Sequence, residues 1–241
     1  PCAGLPLLAV TSSPHDLCGF LLDLMNPGHR RPYDAVVFDL DGTLWDAAAA
    51  SAYGWNLALE KMGVASRVAV EDIRSVSGMP FTRCVEVLLP ELHPASAELL
   101  EALDRSERLG ISKMAGVLYE GVADGLPRLA EVYGLFVVSN CPGWYLEEFL
   151  RVSGFEIYLS GYDCHGMSGK DKPEMLIDLR RRFSLVRPVY IGDTQADGRA
   201  AARAGMDFGL AGYGFGAIDG PRLSFDSFGE LVGYFLEASR G

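Results

Sequence analysis

Residues 33–46 read Tyr33-Asp34-Ala35-Val36-Val37-Phe38-Asp39-Leu40-Asp41-Gly42-Thr43-Leu44-Trp45-Asp46. The apolar run from Ala35 to Phe38 predicts a buried strand of a parallel sheet. It stops at two carboxylates one residue apart, and a glycine comes next. In extended backbone, side chains two apart project to the same side, so Asp39 and Asp41 are placed to reach one ligand. Two close acids repel unless a cation or a proton separates them. Gly42 permits a turn whose backbone N–H groups face an anion. A bare D-x-D-G on its own reads as an acidic turn. Segments farther along the chain give it more weight.

Three further segments sit just past a strand-like run or at a helix start, where α/β folds gather ligand groups. Ser139-Asn140 comes after the apolar run Leu135-Phe136-Val137-Val138. Lys172-Pro173 opens a predicted helix. Gly192-Asp193-Thr194-Gln195-Ala196-Asp197 comes after Val189-Tyr190-Ile191. With D-L-D-G-T-L at residues 39–44 as the first, these four segments in this order resemble the motifs of the haloacid dehalogenase superfamily. The resemblance spans 33–215. Tyr119-Glu120-Gly121-Val122, Ser139-Asn140-Cys141 and the glycine-rich 211–216 make it similar to the phosphoglycolate-phosphatase-type hydrolases, a label that names a sequence group more than a substrate.

Composition bounds the rest. At 241 residues with 49% hydrophobic and 22% charged residues, the chain is an ordinary globular protein. A net charge of -11 argues against nucleic acid or an anionic membrane as partner. The same charge repels phosphate esters at long range, so a phosphate site has to build its own positive field. No run approaches the roughly 18 apolar residues of a membrane helix. The five cysteines, Cys2, Cys18, Cys84, Cys141 and Cys164, form no metal-ligand spacing and predict reduced thiols in a cytoplasmic compartment. Cys141 reads as loop filler.

The chain opens on Pro1, which reads as a processed or truncated start. Residues 5–10 are apolar but no basic residue precedes them, so they make a poor secretory signal. A short helix is expected over 17–25. Residues 1–32 are expected to form an accessory extension. From 47 to 118 the pattern is helical, with helices over 47–62, 70–76, 81–89 and 95–114 and no strand. Regular alternation resumes with helix 122–133, strand 135–139, helix 144–152 and strand 156–159. Helix 173–183, strand 188–191, helix 196–204, strand 207–211 and helix 228–239 complete the pattern. The fold class is therefore α/β: a Rossmann-like parallel sheet core, 33–46 and 119–241, with an inserted α-helical cap over 47–118. The resemblance implies a C1-type cap that closes over the active site.

The resemblance also implies roles for individual residues. Asp39 is the nucleophile, carrying a phosphoryl group as an aspartyl-phosphate and splitting hydrolysis into two steps. Asp41 is the general acid and base, first for the leaving alkoxide and then for water. Asp39, the Asp41 backbone carbonyl and Asp193 ligate the metal, and hard oxygen donors with a phosphate suggest Mg2+. Lys172, directly before proline, neutralises nucleophile and phosphate in preference to Lys170. Ser139 and Asn140 hold the phosphate or order its loop. Asp197 supports either Asp193 or Lys172, or simply complements a helix N-terminus. Met79, Phe81 and Arg83, in a loop between cap helices, are candidates for contacting the leaving group, with Arg83 as a substrate-binding cation.

The expected function is magnesium-dependent hydrolysis of a small phosphorylated metabolite. Dehalogenation is disfavoured because Asp41 and the Gly192-Asp193 motif are both present. Phosphonate cleavage is disfavoured because the cap loop 78–83 holds no lysine. A sugar-phosphate mutase or phosphotransferase remains on the same core residues, and a catalytically quiet phosphometabolite-binding protein is the rival of another class. Substrate identity and oligomeric state stay open.

Overall fold

The computed structural model describes residues 32–216 and 223–239. The expected N-terminal extension, with its helix over 17–25, lies outside the described residues.

Strand β1 (Ala35–Phe38) is central because it is apolar at every position, as a strand covered on both faces must be. Val36 and Phe38 point into one core, Ala35 and Val37 into the other. The other sheet strands are β4 (Gly134–Ser139), β5 (Gly161–Cys164), β6 (Pro188–Gly192), β7 (Asp207–Ala211) and β8 (Ser224–Phe225). The sheet order is β5-β4-β1-β6-β7-β8, all parallel. Phe38 lies opposite Val137 on one side and Ile191 on the other. That register brings the carboxyl ends of β1, β4 and β6 side by side.

Helices α5 (Val122–Ala130), α6 (Gly143–Ser153) and α10 (Phe228–Ala238) cover one face, burying Leu126, Phe149 and Phe235. Helices α8 (Lys172–Arg182) and α9 (Gln195–Ala204) cover the other, burying Met175, Leu176 and Ala201. Each of the Leu, Phe and Met side chains among these contributes about 1.5–3 kcal/mol when removed from water. A short helix, α7 (His165–Ser168), precedes α8.

Between residues 47 and 116 the chain inserts four α-helices: α1 (Ala48–Lys61), α2 (Val70–Val76), α3 (Phe81–Leu88) and α4 (Ala97–Met114). They carry their own core of Trp55, Leu59, Val85, Leu99 and Leu103. Helices α1 and α4 approach closely because two glycines face backbone. A Cβ on Gly54 would lie 2.4 Å from Ser106 O, and one on Gly110 would lie 2.3 Å from Ala50 O. The insertion joins the sheet through a short antiparallel ribbon, β2 (Trp45–Asp46) against β3 (Val117–Leu118). Asp46 starts α1 by accepting from Ala48 N at 2.9 Å and binds Arg74 of α2 at 2.7 Å.

Two expectations need correction. The expected strand over 156–159 is a 3-10 turn, Phe155–Tyr158. Gly154, at φ 69°, ends α6 and turns the chain so that Phe155 is buried while Ile157 stays 81% exposed. Pairing starts later, with Ser160 N donating to Leu135 O at 2.8 Å, and β5 comes next. As an edge strand with one neighbour, β5 needs no apolar run, which hid it. The expectation of no strand between 47 and 118 also fails at β3, whose two residues are too few for any period to register. Among the described residues, no helix is long and apolar enough to cross a membrane.

Candidate active site

Asp39 comes directly after β1, and its backbone N–H extends the sheet by donating to Ile191 O at 2.8 Å. Asp193 comes directly after β6. Carboxylate oxygens of Asp39, Asp193 and Asp197, all buried, lie within 4.8 Å of one another. Lys172 opens α8 and reaches into the same spot. Its Nζ lies 3.0 Å from Asp39 Oδ1, as an ion pair rather than a well-aligned hydrogen bond, and 2.7 Å from Asp197 Oδ1. A cation at a helix N-terminus opposes the macrodipole, and these two acids make it tolerable. Burial alone would pull the ammonium down, but Asp197 and Asp39 outweigh it and hold Lys172 well above its usual pKa. Lys170 instead pairs at the surface with Asp178 at 2.5 Å.

The second oxygen of Asp197 is also committed. Oδ2 accepts from the Thr194 hydroxyl at 2.5 Å and from Thr194 N at 3.0 Å, and the latter, with Asp197 N donating to Thr194 Oγ1 at 3.3 Å, forms the capping box of α9. Asp197 therefore holds Lys172 and the helix start, and both its oxygens are in use. Asp39 Oδ2 and Asp193 Oδ1 have no protein partner although both are buried. Asp193 Oδ2 accepts from Phe215 N at 2.8 Å, which fixes the carboxylate with its other oxygen open. Gly42 is required beside it: its φ is +78°, and a Cβ there would lie 2.1 Å from Asp193 Oδ2.

Burial raises Asp39 to about 6, with Lys172 pulling the other way. Burial raises Asp193 to about 7, and the charge of Asp39 adds to it. Two buried, unpartnered carboxylate oxygens on fixed side chains suit a hard divalent cation, whose charge reverses both causes.

The Asp41 side chain turns away from this cluster. Its Oδ1 accepts from the Tyr145 hydroxyl of α6 at 2.5 Å. Burial raises Asp41 to about 7, against the Tyr145 hydrogen bond, which lowers it. Asp41 opens onto a cavity of about 80 Å³ between sheet and inserted helices, where Ser139 and Asn140 also appear. Ser139, buried at the end of β4, accepts from Cys141 N at 3.4 Å. Asn140 Nδ2 donates to Gly78 O at 2.7 Å, so this residue ties the sheet to the loop between α2 and α3. Met79, Phe81, Ile73 and Val76 form the apolar wall.

The structure thus gathers Asp39, Asp41, Ser139, Asn140, Lys172 and Asp193 at one edge of the sheet. Arg83 is not among them. It lies within α3 rather than in a loop, its side chain is 63% exposed, and it pairs with Glu86 one turn on at 2.8 Å. The geometry gives no support to substrate contact by Arg83.

Two residues at the site carried no local motif. Tyr145 is a buried aromatic in an otherwise ordinary amphipathic helix. Glu107, in α4, lines the cavity and accepts from Trp55 Nε1 at 3.0 Å. One signal for it was present: Leu99, Leu103, Glu107 and Ile111 recur at every fourth position, and all four are buried. An acid on an apolar stripe is out of place on a solvated face.

The family model described as haloacid dehalogenase-like hydrolase matches residues 33–205. A phosphoglycolate phosphatase of Psychrobacter arcticus is 30% identical over 221 residues, covering 84% of this chain and 96% of that protein. A 5'-nucleotidase of Pseudomonas aeruginosa is 26% identical over 197 residues, covering 78% and 86%. The solved structure of a haloacid dehalogenase-like family protein of Streptococcus pneumoniae superimposes with a TM-score of 0.72 at 20% identity, covering 86% of this chain and all of that one. At that identity the likeness shows a shared fold.

Proposed function

We propose that this chain, which belongs to the haloacid dehalogenase-like hydrolase family, hydrolyses small phosphate monoesters with the help of a divalent cation, magnesium by ligand chemistry. The observation that carries the reading is the state of Asp39. It is a buried carboxylate with one oxygen unpartnered, an ammonium 3.0 Å from the other, and the open oxygen of Asp193 beside it. Such a group is an uncommitted electron pair held in place for an electrophile, with positive charge already near it.

In this reading Asp39 and Asp193 hold the cation, which when bound withdraws charge from the phosphoryl oxygens. The chain's own residues do the rest. One oxygen of Asp39 attacks phosphorus as the bond to the ester oxygen breaks. Asp41, near neutral in pKa, gives its proton to the departing alkoxide. An Asp41 carboxylate then takes a proton from water, whose oxygen displaces Asp39 and regenerates it. Lys172 offsets negative charge on Asp39 and phosphate, held in line by Asp197. Ser139 donates to a phosphoryl oxygen. The apolar wall of Met79 and Phe81 excludes bulk water while the acyl phosphate stands. Free Cys84, Cys141 and Cys164 suit a reducing, cytoplasmic setting.

The relatives' names range from an ester of a two-carbon acid to nucleotides, so the substrate has to be read from this chain's own cavity. Phosphate release from p-nitrophenyl phosphate, with magnesium and with chelator, tests the reading. Turnover that needs magnesium and disappears in Asp39→Asn supports it. Undiminished turnover in Asp39→Asn, or none in the parent with magnesium across a broad panel of esters, overturns it.

A further inference from the structure

The cavity beyond Asp41 has an unusual lining for a chamber that receives part of an anionic substrate. Among the described residues, no lysine, arginine or histidine lines it. Its charged groups are two acids, Asp41 from the sheet and Glu107 from α4. Glu107 is more than nine-tenths buried. Its carboxylate accepts from Trp55 Nε1 at 3.0 Å and from the Ser51 hydroxyl, both on α1, and no cation pairs with it among the described residues. The close crossing of α1 and α4 at Gly54 and Gly110 sets this geometry, since the Gly54 position abuts the Glu107 backbone itself. Burial pushes the Glu107 carboxyl up, and the neighbouring Asp104 adds to it. A buried acid held only by neutral donors is costly, and a ligand that brings a positive charge removes that cost.

We infer that Glu107 is the specificity-determining residue of the cap, and that the alcohol portion of the substrate is small and carries an ammonium group rather than a carboxylate. This rests on the phosphatase reading above and narrows it. The cavity of about 80 Å³, open to solvent on one side, has room for a short amino alcohol once the phosphate sits at Asp39. Glu107 lines the chamber beside its hydrogen-bond partners Ser51 and Trp55, and Ile73, Val76, Met79 and Phe81 would pack against the carbon chain. A carboxylate in the same place would face Glu107 with no cation to separate them, a like-charge contact.

Steady-state kinetics with magnesium on three esters of near-equal size test this: 2-aminoethyl phosphate, 2-hydroxyethyl phosphate and 2-phosphoglycolate, with p-nitrophenyl phosphate as the general control. The expected order of kcat/KM in the parent protein is amine, then hydroxyl, then carboxylate, with at least tenfold between the first and last. Glu107→Gln keeps the shape and removes the charge. It should shrink the amine-to-carboxylate ratio by tenfold or more, chiefly through KM. The parent ranking needs no variant, so a misfolded Glu107→Gln leaves the test intact, and its thermal melt shows whether it is folded. Phosphoglycolate turned over as fast as or faster than the amine ester overturns the inference while leaving the phosphatase reading standing. So does a hydroxyl ester that outruns the amine, or an unchanged ratio in folded Glu107→Gln. Absence of turnover on every ester, p-nitrophenyl phosphate included, overturns both.

Discussion

Tyr145 donates its hydroxyl to Asp41 Oδ1 across 2.5 Å, linking α6 to the loop after β1 over 104 residues of chain. Asp41 must lose and regain a proton in the proposed cycle, so whatever sets its proton affinity sets the pH dependence. The hydrogen bond from Tyr145 lowers the Asp41 pKa against the larger effect of burial, which brings it to about 7. Without the hydroxyl, Asp41 is raised further, and its basic form is scarcer at neutral pH. Tyr145→Phe should move the pH optimum of kcat upward and lower kcat at pH 7 by roughly tenfold, within the range attributed to general acid–base groups. KM should change less. An unmoved pH profile in a folded variant would remove Tyr145 from this role.

Lys172 is the sole cation within ion-pair distance of Asp39 and Asp197 among the described residues. Lys172→Met leaves two buried acids facing each other. Breaking a buried pair from one side costs about 3–5 kcal/mol, and at roughly 2–4 °C per kcal/mol for a domain of this size the melting temperature should fall by about 6–20 °C. The loss should be smaller at pH 5 than at pH 8, because protonation relieves the repulsion. Circular dichroism melts at the two pH values check both parts. Equal losses at both would mean that packing, not charge, is what the lysine supplies.

The motif positions were legible in the sequence because each is a local event: an apolar run that stops at an acid, a lysine before a proline, a Gly-Asp pair just past a strand. Their convergence was legible too, since parallel strands in register must bring their carboxyl ends together. Pairings between distant elements were not. Nothing near Tyr145 announces Asp41, and Glu107 belongs to the site only because Gly54 and Gly110 let α1 and α4 close on each other. Arg83 stands apart from the other expected site residues, because the helix that carries it turns the side chain toward Glu86. The strand expected at 156–159 failed because Gly154 redirects the chain and an edge strand carries little apolar signal.

The carboxylates couple pH, metal and stability. Asp39 near 6, and Asp41 and Asp193 near 7, all sit above their usual value because of burial. Between about pH 4 and pH 7 the folded chain therefore holds protons that the unfolded chain has released. Stability falls as pH rises through that window and stays low above it. A divalent cation binds the deprotonated acids of the folded state only, so it restores what is lost. In chelator the melting temperature should drop by several degrees from pH 5 to pH 8. Added magnesium should raise it more at pH 8 than at pH 5. Scanning calorimetry reads both, and a magnesium effect that is the same at the two pH values would contradict the assignment of Asp39 and Asp193.

Gly110→Ala should strain the cap alone. The added methyl meets Ala50 O at 2.3 Å and forces α1 from α4. Overpacking of this kind costs about 1–3 kcal/mol. Ser51 and Trp55 ride on α1, so the wall opposite Asp41 shifts while Asp39, Lys172 and Asp193 keep their places. KM should rise several-fold, and the magnesium concentration for half-maximal rate should stay within about twofold. A large change in magnesium dependence would mean that cap and metal site are mechanically joined.

The two acids of the first motif can be separated by what each variant accumulates. Asp39→Asn removes the attacking oxygen and a metal ligand, so no covalent intermediate forms. Asp41→Asn keeps an oxygen to accept from Tyr145 and leaves Asp39 untouched. An ester with a good leaving group needs little protonation, so this variant still transfers the phosphoryl group to Asp39. Water then attacks slowly, because no carboxylate takes its proton, and the phosphorylated protein builds up. Mixing Asp41→Asn with p-nitrophenyl phosphate and magnesium should give a burst of nitrophenol close to one per chain, then turnover about 10²–10⁴-fold slower than the parent. Intact-mass measurement should show one added phosphoryl group, and peptide mapping should place it on Asp39. A label on Asp41 in the parent protein would exchange the two roles. A burst in Asp39→Asn would move the nucleophile elsewhere, and with it the meaning of the open oxygen beside Lys172.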